Sequence, residues 1–171
     1  MYAQDDIQNK IQALQDQFYS KNSKNLFLKK AQKHECATHV TQHIDLAVLL
    51  EKTFSIKDNG IYFEYQILKT FTHPSNYEQI VSYIIDLAKI CIQTHGLFDL
   101  HINLKSFSIT AAQRNKEIIQ LFCEKCLQSD SIFYNHLNKL YLHNCPGLVQ
   151  TLHSLFGGFA DKNAKNKVVI M

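Results

Sequence analysis

Two seven-residue segments, 61–67 and 98–104, alternate strictly between apolar and polar side chains, and they most constrain what this chain can fold into. The apolar positions are Ile61, Phe63, Tyr65 and Ile67 in the first segment and Phe98, Leu100, Ile102 and Leu104 in the second. A period of two places all the apolar side chains of a strand on one face. The pattern predicts a sheet with one oily and one polar face, with helices mainly on the oily side.

Helical segments separate the predicted strands. The clearest one carries an apolar stripe over 77–92 and ends at His95-Gly96, and another, capped by Thr110, runs to about Gln128. Further strands are predicted at 44–50, 139–144 and 167–171, and Asp58-Asn59-Gly60 has the composition of a hairpin turn. Strands that alternate with helices of this length indicate an α/β fold with a mixed, partly parallel sheet.

Residues 1–45 are predicted to form an N-terminal helical arm and linker ahead of an α/β domain at 46–171. Apolar residues at helical spacing, Ile7, Ile11, Leu14 and Phe18, predict an amphipathic helix that covers its own domain or binds a partner. Four potential zinc ligands follow, namely His34, Cys36, His39 and His43. Neither a helix nor a strand brings all four to one face, so we predict a polar loop or edge without a metal.

Composition limits the classes of partner. The chain has 171 residues, enough for one core, with a net charge of +3 from scattered lysines and a single arginine, Arg114. Nucleic acid is not expected as a partner, because phosphate and base recognition favour arginine. No window is long and apolar enough for a membrane span, no basic and apolar leader is present, and five scattered cysteines favour reduced thiols. We expect a cytoplasmic or otherwise intracellular protein that is not secreted.

The cysteines raise the question of catalysis. Cys145 follows a predicted strand and precedes a predicted helix, which is one way to present a nucleophile, but no Cys-x5-Arg loop follows it. A pair with His143 is the alternative arrangement that would activate it. Cys123 and Cys126 fall in the last turns of a helix rather than at its start, which favours packed thiols over a redox pair. We predict no catalytic residue, no cofactor and no enzyme activity.

The order of these elements over about 56–171 resembles the CRAL-TRIO domain, the fold of the yeast phosphatidylinositol-transfer proteins. Short motifs carry the resemblance: the Asp58-x-Gly60 hairpin, the segment 104–108 after a strand, and Asn144-Cys145-Pro146 in place of the Asn-x-Pro of the family. The resemblance implies that the helix at 147–159 gates a lipid pocket. Its apolar face, which would meet a lipid or a partner, consists of Leu148, Leu152, Leu155, Phe156 and Phe159.

The polar face of the sheet separates two hypotheses. It is predicted to contain Glu64, Asp99, His101, Asn103 and His143. These side chains would make a poor floor for an acyl chain, because desolvated charges cost several kcal/mol. We therefore first expect a non-enzymatic interaction module, an accessory or structural subunit that docks onto other proteins. The alternative is a small lipid- or phosphoinositide-binding or transfer protein with a pocket under helix 147–159.

Overall fold

The computed structural model describes residues 2–145, 147, 154 and 162–171. The helices are α1 (Tyr2–Lys21), α2 (Lys29–His43), α3 (Leu46–Thr53), α4 (Tyr65–Leu68), α5 (Tyr77–His95), α6 (Ile109–Arg114), α7 (Lys116–Cys126) and α8 (Ile132–His136). The strands are β1 (Phe54–Lys57), β2 (Gly60–Glu64), β3 (Phe98–Asn103), β4 (Leu137–His143) and β5 (Val168–Ile170). Two 3-10 helices span Pro74–Asn76 and Lys162–Lys167.

The five strands form one mixed sheet in the order β1-β2-β3-β4-β5. Strands β1 and β2 are antiparallel, joined at the predicted turn, where Asp58 adopts a left-handed φ of 53°. The other neighbours are parallel, which requires crossover connections, and those from β2 to β3 and from β3 to β4 are helical, as the sequence predicts. The predicted α/β class and partly parallel sheet are confirmed.

The two faces of the sheet differ as the alternation predicts. In register across β2, β3 and β4, Phe63 pairs with Ile102 and Ile102 with Leu142, while one residue earlier Tyr62 pairs with His101 and His101 with Tyr141. The apolar rows pack against α5, whose buried residues include Ile80 and Val81, and against α7 and α8. The helices of this layer lie on the oily face, as expected.

Two predicted strands were wrong in whole or in part. Residues 46–53 form helix α3 because Asp45 caps it, accepting a hydrogen bond from the N–H of Ala47 at 2.7 Å. Its buried residues, Leu49, Leu50 and Thr53, recur at helical spacing. The strand expected to run past residue 64 ends at Glu64, where α4 begins. Short apolar runs of this kind fit a helix and a strand equally well.

The polar loop expected at 34–43 is also wrong, because these residues belong to helix α2. Its buried side chains are Cys36, Ala37 and Val40, and it packs against α1. Ile11 of α1 and Val40 of α2 lie in the same buried cluster as the sheet residues. The apolar stripe of α1 therefore packs at least in part on its own chain.

Local caps and one helix break differ from the predictions. Ser108, not Thr110, caps α6 by accepting from the N–H of Ala111 at 3.1 Å, and Asn115 separates α6 from α7. Gly96 ends α5 with a positive φ of 79°, a conformation that glycine adopts without strain. The predicted gate helix at 147–159, with all five of its apolar residues, lies outside the described residues apart from Gly147 and Ser154. Among the described helices, none combines the length and apolar character needed to cross a bilayer.

Candidate functional site

An apolar cavity of about 110 Å³ lies between the oily face of the sheet and helices α5 and α7. Every described side chain that lines it is apolar: Phe54, Phe63, Leu68, Ile80, Val81, Ile84, Leu100, Ile102, Leu104, Phe107, Ile118, Ile119, Phe122 and Leu142. The period of two in the strands and the helical spacing in α5 and α7 bring these residues together. The cavity is a direct consequence of the alternation seen in the sequence.

The size and lining of this cavity define what can occupy it. A dry cavity of about 150 Å³ with a comparable Leu, Ile and Phe lining binds benzene, and water stays out because it finds no polar partner. The cavity here is of the same order. It therefore suits an apolar group such as part of one acyl chain.

A second, cationic cleft of about 350 Å³ lies beyond the carboxyl ends of β2 and β3, where α1, α2 and α6 meet. Four cations line it: Lys29, Lys33, Lys69 and Arg114. Six residues with hydroxyl groups also line it: Tyr19, Tyr65, Thr70, Ser106, Ser108 and Thr110. In open α/β sheets, ligands bind in the crevice at this end of the strands.

The cleft concentrates positive charge without a counter-charge. No described residue that lines it is acidic, and the ion pairs among described residues involve none of its four cations. Burial lowers the pKa of Lys33 below its usual value, and the charges of Arg114, Lys29 and Lys69 lower it further. Burial and then Arg114 likewise lower the pKa of Lys69. A bound anion would relieve this repulsion.

Hydrogen bonds and backbone geometry hold the rim of the cleft. The Nζ of Lys69 donates to the Oγ of Ser106 at 2.9 Å. Ser106 has a φ of 66°, which is uncommon outside glycine and points to a backbone fixed by its surroundings. The amide of Asn115 donates to the hydroxyl of Tyr65 at 3.4 Å, and burial raises the pKa of that phenol.

The cavity and the cleft are neighbours in the fold. Leu68 lines the cavity, and the next residue, Lys69, lines the cleft. Phe107 lines the cavity, and its two sequence neighbours, Ser106 and Ser108, line the cleft. The Tyr65 and Phe107 rings meet edge to face at 4.8 Å between centroids. An apolar binding space and a cationic binding space are thus one residue apart in two segments of the chain.

The predicted polar sheet face lies on the opposite side of the sheet from the cavity. His101 Nδ1 and His143 Nε2 are 3.0 Å apart, and the amide of Asn103 donates to Glu64 Oε2 at 2.9 Å. Asp99 stands apart from this group, because it accepts from the side chain of Asn138 and the N–H of Lys139. None of these side chains lines the cavity, which lies on the oily face, and the prediction that the polar face meets a partner stays a prediction.

Aromatic rings that the sequence analysis did not single out complete this face. Tyr62 and Tyr141 stack on the two sides of His101, with ring centroids 4.4 and 4.6 Å apart and interplanar angles of 6° and 8°. The strand register places the three rings opposite one another. Burial, and then the charge of His143, lower the pKa of His101. The stacked rings and the lowered pKa favour the neutral form of the His101 ring.

The thiols have the properties of packed side chains. Cys145 is buried, its Sγ lies 3.7 Å from the carbonyl oxygen of Leu142, and burial raises the pKa of its thiol. Cys145 is therefore a buried thiol at the end of β4. Burial also raises the pKa of Cys123 and of Cys126 to about 12. Thiols of this kind make poor nucleophiles at neutral pH.

The four residues considered for zinc all lie on helix α2. The rings of His39 and His43 lie 4.5 Å apart, since they are one turn apart on α2. Burial raises the pKa of Cys36, and its hydrogen bond with Tyr19 lowers that pKa by less. In the described part of the chain, no three His, Cys, Asp or Glu side chains come close enough to hold a metal ion.

Sequence reasoning missed both spaces for identifiable reasons. Lys29 and Lys33 share one face of α2 because they are four residues apart on a helix. The sequence did not predict this proximity, since part of α2 was predicted to be a loop. Lys69 and Arg114 join them only through the fold. The apolar lining was visible as strand alternation, but the sequence did not reveal which helices would leave a gap over it.

Comparison with known proteins supports the fold. No family model matches the chain, and a search of curated proteins finds no significant relative. Among solved structures, the chain is similar to Sfh5, a Sec14/CRAL-TRIO family protein, with a TM-score of 0.54 and 16% sequence identity. The match covers 84% of this chain and 54% of Sfh5, so the chain spans about half the length of that neighbour. The predicted CRAL-TRIO-like fold is confirmed.

Proposed function

We propose that this protein binds an amphiphilic, lipid-like ligand, with an apolar chain in the cavity and an anionic headgroup in the cationic cleft. The observation that carries the proposal is that adjacent residues line the two spaces, at Leu68-Lys69 and at Ser106-Phe107-Ser108. An apolar cavity by itself can be explained as a packing defect, and a cationic cleft by itself can be explained as a chance clustering of surface lysines. Side by side, they match the two ends of one molecule.

The headgroup that fits the cleft is a phosphate or a carboxylate. Arg114 can offer a guanidinium fork to two oxygens, and Lys33 and Lys69 are partly desolvated cations that gain from an anion. The hydroxyl groups around them can donate to further oxygens. A cationic headgroup would add to the repulsion among the four cations.

The ligand is held rather than chemically changed in this proposal. Among the described residues, the cavity lining offers no polar side chain to a reacting bond, and burial raises the pKa of Cys36, the thiol that lines the cleft. The CRAL-TRIO-like fold agrees with a lipid-binding role, which was the alternative drawn from the sequence. The first hypothesis, an accessory subunit that docks onto other proteins through the polar sheet face, the N-terminal arm or the gate-like helix, stays an untested prediction.

Calorimetric titration of three ligands that share a ten-carbon chain tests the proposal. Decyl phosphate should bind saturably at one per chain, decanol more weakly, and decyltrimethylammonium weakest, all below their micelle concentrations. Arg114→Gln should weaken decyl phosphate by about tenfold, the value of one charge-assisted hydrogen bond, and leave decanol unchanged. Lys57→Gln on β1 is the matched control and should change neither. Equal affinity for the three ligands, or none for any, would refute the proposal.

A further inference from the structure

The segment that joins α1 to α2 exposes three consecutive large apolar side chains. Leu26 is 82% exposed, Phe27 99% and Leu28 60%. Phe27 is the most exposed large hydrophobic residue in the described part of the chain. Single exposed apolar side chains are ordinary on protein surfaces, but three in sequence at the tip of one loop are not.

The loop is held in this conformation by its own hydrogen bonds. The side-chain oxygen of Asn25 accepts from the N–H groups of Phe27 at 2.9 Å and Leu28 at 3.3 Å. Gln32 closes the base, because its Oε1 accepts from the N–H of Asn25 and its Nε2 donates to the carbonyl of Ser23. The apolar tip is therefore presented by a braced turn.

The sequence around the tip is rich in positive charge, and the nearest carboxylates along the chain are those of Asp16 and Glu35. Between residues 17 and 34 the side chains include no Asp or Glu and five lysines: Lys21, Lys24, Lys29, Lys30 and Lys33. Lys30 pairs with Glu117 at 3.2 Å, and Lys24 lies over the ring of Tyr19 at 5.4 Å. The sequence reading that lysines are evenly scattered misses this concentration on both sides of the tip.

We propose that Leu26-Phe27-Leu28 is a membrane-insertion tip that docks the protein on an anionic lipid surface. Apolar side chains enter the boundary between headgroups and acyl chains, while the flanking lysines stay at the phosphates and add attraction to anionic lipid. Charge complementarity is what selects this occupant. Helical partners in a protein groove present anchors at i, i+3 and i+4, whereas these three residues are consecutive.

The docking site would bring the cationic cleft close to the bilayer, because Lys29 and Lys33 belong to both. The inference does not rest on the proposed function, since a protein can dock on a surface whether or not its cavity holds a ligand. Binding of decyl phosphate in solution reports on the cavity and cleft alone. The two proposals can therefore fail separately.

A single-tryptophan probe tests the insertion directly, because the chain has no Trp. The emission of Phe27→Trp should shift to the blue with phosphatidylcholine vesicles that contain phosphatidylserine, and high salt should reverse the shift. Vesicles of phosphatidylcholine alone should give little shift. Ile132→Trp, at an exposed site at the other end of the sheet, is the control and should give none. An unshifted Phe27→Trp spectrum would overturn the proposal.

Vesicle co-sedimentation supplies the second measurement. The triple variant Leu26→Ser, Phe27→Ser, Leu28→Ser should lose binding, Ile132→Ser should keep it, and Lys24→Gln should weaken it about fivefold, the share of one lysine at an anionic surface. Solution binding of decyl phosphate by the triple variant should be unchanged. If the triple variant instead abolishes self-association of a wild-type protein that ignores vesicles, the tip contacts a second copy and the proposal is wrong.

Discussion

Filling the apolar cavity should stabilise the protein and abolish ligand binding in one step. Ile84 of α5 lines the cavity and is only partly buried, so Ile84→Phe can place a ring in the empty space. A cavity of about 110 Å³ costs about 2.6 kcal/mol at about 24 cal/mol per Å³, which is the most that filling can recover. One ring fills part of it, and about 1 kcal/mol is the expected gain.

Thermal unfolding with and without ligand measures both effects. A gain of about 1 kcal/mol raises the Tm of a chain of this size by about 2–4 °C. Decyl phosphate at about 100 times its Kd adds about 2.7 kcal/mol to the wild type and should add nothing to Ile84→Phe. The variant without ligand should therefore melt above the wild type without ligand and below the wild type with it.

The control is a substitution of the same kind on the same helix. Ile90 is 52% exposed and does not line the cavity, so Ile90→Phe should leave both the Tm and the ligand-induced shift near the wild-type values. A ligand-induced shift that survives Ile84→Phe would show that the chain binds elsewhere. A Tm lowered by several degrees without ligand would show that the space cannot accept a ring.

Three further predictions follow from the charges and the buried groups. Lys33→Gln relieves repulsion in the cleft, so the free energy of unfolding should stay within about 0.5 kcal/mol of the wild-type value or rise. A loss of more than about 1 kcal/mol in urea unfolding would contradict this. Burial holds the pKa of His73 below its usual value, so the unfolded chain binds more protons below about pH 6.5 and the free energy of unfolding should fall there, less steeply in His73→Gln. Thiol labelling of the native protein should be slow at Cys145 and at the other four cysteines, all of them buried, and become complete on unfolding.

One hydrogen-bond chain fixes the position of the proton on the neutral ring of His73. The Nε2 of His73 lies 3.1 Å from the Oγ1 of Thr41, and that hydroxyl donates its own proton to the carbonyl of Thr38. Thr41 must therefore accept from His73, which assigns the proton of a neutral ring to Nε2. A second proton would charge a ring that is only 8% exposed.

The parts of the fold that follow from periodicity could be predicted from the sequence. Strict alternation identified β2 and β3 and the difference between their faces, and a continuous apolar stripe identified α5 with its end at Gly96. Residues 44–50 could not be assigned in the same way, because seven mostly apolar residues fit both periods. Only the Asp45 cap separates the alternatives, and it was not weighed.

The candidate site was less predictable because its residues converge through tertiary structure. Lys33, Lys69 and Arg114 come from three segments of the chain and line the same cleft only after folding. The polar residues of β3 were correctly placed on one face, but the side on which a cavity would open depends on how α5 and α7 pack. Face assignment follows from local pattern, whereas cavity position follows from packing over long sequence separations.

The most direct test of the central claim is to locate the chain of a bound ligand. A decyl phosphate analogue that carries a photoreactive diazirine at the end of its alkyl chain can be cross-linked and mapped by peptide mass spectrometry. We expect labels on the cavity lining, at Ile80–Ile84 of α5, Ile118–Phe122 of α7 and the apolar positions of β3, and none in Ile84→Phe. Labels on Tyr62, His101 or Tyr141 of the opposite face, or labels that Ile84→Phe does not remove, would contradict the account.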